Sequence, residues 1–415
     1  MSKKTEGTDF TRRDFVKTVG LAGIAVAGAG VAGVPGALAQ PAPPAGSAPA
    51  GTTPRRKLGK TGVDVSILAL GGMFDTINNQ LLLKQALKWG ITYWDTAESY
   101  GNGLSEEGMG RFFARNPEAR KEIFLVTKIH KAIGSADLTA RLDKCLKRLQ
   151  TDHVDLFFIH GISSIDEMKP DYQGWSAEMK KAGKFKFLGF SSHTNMADCL
   201  IGAAKLDWID AVMFTYNFRV MHDPKLKEAL NACEKAGVGL VAMKSIAVGP
   251  GEPKGASQAK LDMADRFLKR GFTDKQAKLK VIWENPQIAS LCSQMPSLTI
   301  LMANVAAARD QAKLAREEFE SLRQYALETK GDYCAGCGAL CQAAVGGAVP
   351  INEVMRCLMY HRYYDEPELA RLTFAGLPEE VKQRLHEVDY TRAEQACPQK
   401  LAIAALMRQA KEMLA

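Results

Sequence analysis

Four residues are candidates for chemistry: Asp95, Tyr100, Lys128 and His160, separated by 5, 28 and 32 positions. The aspartate follows the apolar stretch ITYW, and the phenol follows within TAESYG. The lysine ends IFLVTK and the histidine ends VDLFFIH. A free phenol titrates at about pH 10. An ammonium beside it favours the ionised form and draws that value down. With Asp95 holding Lys128 and Lys128 beside Tyr100, the phenol is expected to act as a proton donor to a carbonyl oxygen, or as acceptor from an alcohol. His160 is expected to hydrogen-bond the same oxygen and orient the substrate. Such a set suits carbonyl reduction. Since no side chain delivers hydride, a nicotinamide cofactor is required.

These residues meet only if several strand ends share one rim. After residue 55, apolar runs recur: VSILAL at 65, TYWDTA at 92, IFLVTK at 123, VDLFFIH at 154, KFLGFSS at 186, AVMFTYN at 211, GLVAMKS at 239 and IASLCSQ at 288. Helical stretches such as LTARLDKCLKRLQ and LKEALNACEKAG lie between them. Strands that are apolar on both faces and alternate with helices read as a parallel sheet covered by helices. Eight such units predict a closed α/β (β/α)8 TIM barrel, although the alternation by itself also permits a doubly wound open sheet. In such a barrel chemistry sits at the carboxyl ends of the strands. Asp95, Lys128 and His160 end the second, third and fourth runs, with Tyr100 in the loop beyond the second. Ser191, Ser192 and His193 end the fifth, and Tyr216 and Asn217 the sixth.

Over about residues 55 to 325 the sequence resembles the aldo-keto reductase superfamily, through YWDTAESYGNGLSEEGMG, FLVTK and HVDLFFIHG. The resemblance implies that Tyr100 is the general acid/base, supported by Lys128, Asp95 and His160, with NADP(H) or NAD(H) as cofactor. GFSSH resembles the strand that holds the nicotinamide amide, which implicates Ser191 and Ser192. Tyr216 of TYNF matches the aromatic that stacks on the nicotinamide ring. Two departures are visible. Met213 stands where the family has an amide side chain, and CSQMPSLTILMANVAAARD lacks the expected glycine and carries Arg309 as its only basic residue. Lys244 of AMKS is a weak candidate for a phosphate contact. The departures keep open an alternative: a barrel without turnover that serves as a binding or electron-relay module.

The tail contains YCAGCGALC and, much later, ACP, supplying Cys334, Cys337, Cys341 and Cys397 before a proline. Three clustered cysteines and a distant Cys-Pro read as Fe–S ligands. The tail resembles the ferredoxin-like extension of some aldo-keto reductases, and one [4Fe–4S] cluster is expected. The third cysteine comes one position late and the fourth is remote, so a four-cysteine zinc site and two disulfides stay as alternatives. The other five cysteines, Cys145, Cys199, Cys233, Cys292 and Cys357, read as small buried hydrophobes.

The 415 residues carry a net charge of +8, 46% hydrophobic residues and 24% charged ones. This is a globular composition, and the charge is too dispersed to make a case for nucleic acid. TRRDFVK, with Arg12 and Arg13, resembles a twin-arginine export signal; a weakly apolar Gly/Ala stretch and ALA before Gln40 follow. The expected organisation is a signal over 1–39, a Pro/Ala linker over 40–54, the barrel over 55–330 and a mostly α-helical Fe–S extension over 331–415. The expected location is periplasmic, reached through the twin-arginine export machinery, with an uncleaved membrane anchor as the alternative. The expected partners are a small carbonyl or alcohol substrate and, through the cluster, an electron-transfer partner.

Overall fold

The computed structural model describes residues 52–130, 134–247, 273–328, 333–364 and 366–415. The expected export signal and all but the end of the expected linker lie outside these residues. Among the described residues, no helix is long and apolar enough to cross a membrane.

The chain enters through an antiparallel hairpin, β1 (Arg55–Lys57) and β2 (Asp64–Ser66). Eight parallel strands follow: β3 (Leu68–Gly71), β4 (Tyr93–Asp95), β5 (Phe124–His130), β6 (Val154–His160), β7 (Phe185–Ser192), β8 (Ala211–Thr215), β9 (Gly239–Met243) and β10 (Ile288–Gln294). They close in chain order, with β10 hydrogen-bonded to β3. The doubly wound alternative is thereby removed, since an open sheet would leave β3 and β10 unpaired.

Alternation along each strand sorts side chains into two cores. Inward residues such as Val126, Leu156, Phe158, Met213 and Val241 pack with Leu58 and Val65 of the hairpin, which plugs the amino-terminal end. Outward residues such as Leu125, Phe157, Phe190 and Phe214 pack under the helices. At such apolar densities every step between strands must fit closely. In β7, a Cβ on Gly189 would stand 1.8 Å from the Ala211 carbonyl, so only glycine fits there.

The C-terminal extension is helical and has its own core, built on Val354, Cys357, Leu385, Ile403 and Met407. It docks on loops that directly follow barrel strands. The Asn195 amide donates to the Gly336 carbonyl and its side-chain oxygen accepts from Ala339, both at 2.8 Å. Asn352 donates to the Thr194 hydroxyl (2.6 Å), and Asn217 to the Tyr333 hydroxyl (2.9 Å). Gly336 has φ +80°, and a Cβ there would lie 2.3 Å from the His193 carbonyl, so close backbone approach and left-handed conformation both demand glycine.

Candidate active site

The four residues read from the sequence do share one rim. Lys128 sits on β5 and donates to Asp95 on β4 at 2.5 Å and to the Thr96 carbonyl at 2.7 Å. Both members of the pair are 1% exposed. The Tyr100 hydroxyl lies 3.4 Å from the same ammonium. Tyr100 is held there by a turn through Gly101, Asn102 and Gly103, all with left-handed φ, which two glycines and an asparagine tolerate. His160, ending β6, meets the Tyr100 ring edge-on with centroids 5.9 Å apart. It also stacks on His130, its register partner on β5, at 4.3 Å.

The electrostatics differ from the expectation in one respect. Burial pushes the Tyr100 phenol above its ordinary range, and the opposing pull of Lys128 does not cancel this. Tyr100 is therefore a firmly protonated donor and not a poised phenolate. Burial works against the Lys128 ammonium, but Asp95 and Tyr100 outweigh it and hold Lys128 charged. Burial likewise pushes the Asp95 carboxyl up, against Lys128. Burial, then Lys128, keeps His160 well below the usual histidine range, so the ring is neutral. Its Nδ1 and the second Asp95 oxygen have no hydrogen-bond partner among the described residues. A neutral donor and acceptor ring beside a protonated phenol can polarise a carbonyl oxygen without placing a second charge on it.

The cofactor-side residues divide by strand parity. Ser191 points inward, and its hydroxyl accepts from the Gly161 amide at 3.0 Å. Ser192 points outward: its hydroxyl donates to the Thr194 carbonyl at 2.8 Å and sits beside Cys199. Tyr216 also faces outward, whereas the expected stacking role needs its ring at the mouth. Its ring lies in the layer beneath the helices beside Phe214, and its hydroxyl accepts from Asn285. One position earlier, Thr215 faces the mouth and contacts His193 at 2.9 Å. Its register partner Met243 lies with the inward group. Arg309 is directed to the Trp89 carbonyl instead of a phosphate site.

Among the described residues, two groups remain for a cofactor's polar portion: Lys244, with φ +55°, and Ser245, whose buried hydroxyl has no partner there. Lys244 itself lies under two rings of the extension, Tyr360 at 4.6 Å and Tyr364 at 4.9 Å.

Cys292 reads as an inert hydrophobe in the sequence, yet it faces inward at the end of β10 beside the pair. Burial, then the Asp95 charge, pushes its thiol well above the ordinary range. The thiol lies against the Asp95 carboxylate and is placed to donate to it, although no bond to the second oxygen meets strict geometry. Sequence offers no signal for this, because an inward cysteine on an apolar strand looks like any core residue. The other barrel cysteines, Cys145, Cys199 and Cys233, are buried on helices facing the strands.

In the extension, Cys334, Cys337, Cys341 and Cys397 line one small cavity with Pro398. Burial raises the Cys334 thiol to about 12 and the Cys341 thiol to about 11. The Cys341 thiol is turned to the Gly338 carbonyl at 3.5 Å. In this rotamer no three His, Cys, Asp or Glu side chains among the described residues converge on a common metal position. The donor set fits a cluster in type and neighbourhood, while the thiol directions do not yet converge.

Comparison with known proteins agrees with the fold. Residues 70–328 match the aldo/keto reductase family model. The oxidoreductase YrpG of Bacillus subtilis is 28% identical over 264 residues, covering 57% of this chain and 78% of that protein. L-galactose dehydrogenase of Arabidopsis thaliana is 24% identical over 290 residues, covering 63% and 90%. Among solved structures, the thermostable aldo-keto reductase Tm1743, bound to the inhibitor epalrestat, is 26% identical with a TM-score of 0.54, covering 65% of this chain and 98% of that one. A Klebsiella pneumoniae aldo-keto reductase in complex with NADPH, 20% identical with a TM-score of 0.54 over 66% and 95%, shares the fold. The chain belongs to the aldo/keto reductase family and is an NAD(P)H-dependent oxidoreductase on a (β/α)8 barrel.

Proposed function

We propose that this protein reduces a small carbonyl compound, or oxidises the matching alcohol, with Tyr100 as proton donor and acceptor. The observation that carries the reading is the buried Lys128–Asp95 pair at 2.5 Å with the Tyr100 hydroxyl beside it at the barrel mouth. A nicotinamide cofactor supplies the hydride when bound. Lys128 holds the phenol by charge, Asp95 holds Lys128, and neutral His160 orients the substrate oxygen. Ser191, Lys244 and Ser245 are the groups proposed to hold the cofactor. NADP(H) and NAD(H) both fit this set.

We propose that Cys334, Cys337, Cys341 and Cys397 bind one [4Fe–4S] cluster, supported by their shared cavity and the adjacent Pro398. Turning the Cys341 thiol away from the Gly338 carbonyl frees it for ligation. The cluster's proposed role is to clamp the extension, because metal ligation supplies folding energy to small units. Protein purified without oxygen is expected to contain about four irons and a broad visible absorbance, and Cys337→Ser is expected to lose both and to melt at a lower temperature. Zinc in place of iron, or two disulfides, sinks the assignment. Added NADPH tests cofactor binding in the same sample, through quenching of protein fluorescence.

A second reading has specific support: Tyr216 faces away from the mouth, Arg309 serves another site, and Lys244 is capped by Tyr360 and Tyr364. A barrel so altered would bind or relay electrons without turnover. Absence of NADPH quenching selects it.

The proposed location is periplasmic, after export of the folded chain through the twin-arginine machinery. Arg12→Lys together with Arg13→Lys is expected to leave precursor in the cytoplasm, as judged by cell fractionation. Unchanged export excludes the route.

A further inference from the structure

The helix Ile351–Tyr363 of the extension crosses the barrel mouth. Between it and the strand ends lies a cavity of about 50 Å³, walled by His193, Thr215 and Lys244 from the barrel and by Met355, Arg356 and Arg362 from the helix. Three of these six are cations, and no aspartate or glutamate lines the cavity. Lys244 is occupied by two aromatic faces and Arg362 by the neutral Gln409. Arg356 is half-buried and makes no hydrogen bond or ion pair among the described residues. Its planar guanidinium fork matches an oxyanion.

The Arg356 charge reaches His160 and His130, which end β6 and β5, and His193, which follows β7. The barrel wall of the cavity, His193 after β7 and Thr215 at the end of β8, belongs to the rim that also carries Asp95, Lys128 and His160, so Arg356 stands at the same mouth as the tetrad. The cavity is also bordered by Lys244, which follows β9 and is proposed to meet the cofactor's polar groups.

We propose that Arg356 forms an anion subsite and that the substrate is a carbonyl compound bearing a carboxylate or phosphate. The proposal rests on the carbonyl-reduction reading for its chemistry but not for its binding. Two of the three cations, Arg356 and Arg362, come from the appended helix, so the extension contributes to specificity for the anion. Loss of a charge-assisted hydrogen bond of this kind corresponds to about a ten- to hundredfold change in affinity.

The test uses the full-length protein purified without oxygen, saturated with NADPH. Turnover of 4-carboxybenzaldehyde is compared with that of benzaldehyde, and of glyceraldehyde 3-phosphate with glyceraldehyde, in wild type, Arg356→Gln and Arg356→Lys. The first pair reports a carboxylate and the second a phosphate. The wild type is expected to prefer one anionic member in KM. Arg356→Gln is expected to cut that preference by tenfold or more through KM, with Arg356→Lys restoring part of it. Benzoate and inorganic phosphate binding by calorimetry gives a readout that needs no turnover, and Arg356→Gln is expected to weaken the matching anion by the same factor. If the wild type binds an anion through Arg356 yet turns over neither aldehyde, the subsite stands and the carbonyl-reduction reading falls. Equal loss for anionic and neutral members, or unchanged anion binding in Arg356→Gln, overturns the subsite. So does a loss confined to NADPH binding, which would assign Arg356 to the cofactor phosphates.

Discussion

Tyr100→Phe is expected to lower kcat for carbonyl reduction by about 10²–10⁴-fold, the range for losing a positioned proton donor. The substitution removes one oxygen from a ring whose place is set by the Gly101–Gly103 turn, so the barrel and NADPH quenching should survive. The pH profile adds an independent check. Burial holds the phenol above its ordinary range, and burial with Lys128 holds His160 below its own. Neither group changes protonation between about pH 6 and 9, so wild-type kcat should be level across that window. Reduction that persists in Tyr100→Phe, or a steep break near the ordinary histidine value, would mean that another group gives the proton.

Lys128→Met should be the most damaging single change at the site, because it acts on stability as well as rate. It removes the charge that balances Asp95 among the described residues, and Asp95 is 1% exposed. Breaking a buried ion pair from one side costs about 3–5 kcal/mol, since the remaining charge is left uncompensated. For a chain of this size the melting temperature should fall by about 5–10 °C. The double variant Lys128→Met with Asp95→Asn should recover part of that loss, because no unbalanced carboxylate remains, while staying as inactive as the single variant. A Lys128→Met protein as stable as wild type would show that the pair is not ionised in the fold.

The barrel was readable because parallel strands covered on both faces leave continuous apolar runs, and because polar residues at their carboxyl ends interrupt those runs at fixed places. Asp95, Lys128 and His160 each end such a run, and the structure gathers them with Tyr100. Other features turn on relations that one sequence does not display. Whether Thr215 or Tyr216 faces the mouth depends on parity in a five-residue strand, where one position exchanges inside for outside. The balance between burial and Lys128 at Tyr100 depends on how completely the phenol is desolvated. Cys292 and Arg356 act at distances of roughly 160 to 200 residues from the tetrad members they face, and neither carries a local motif.

The docking of the extension has a consequence for how the protein is made. The barrel strands are complete once β10 has left the ribosome, and all their pairings except the closing β10–β3 one join neighbours in the chain, which permits folding during synthesis. The wall that carries Arg356, the two rings over Lys244 and the Tyr333 partner of Asn217 all come later in the chain. A nascent barrel therefore has its tetrad in place while its mouth is still uncovered. Translation of the last segment converts an open vessel into a roofed one, so the order of synthesis is also the order in which proton-transfer groups and then selectivity are acquired.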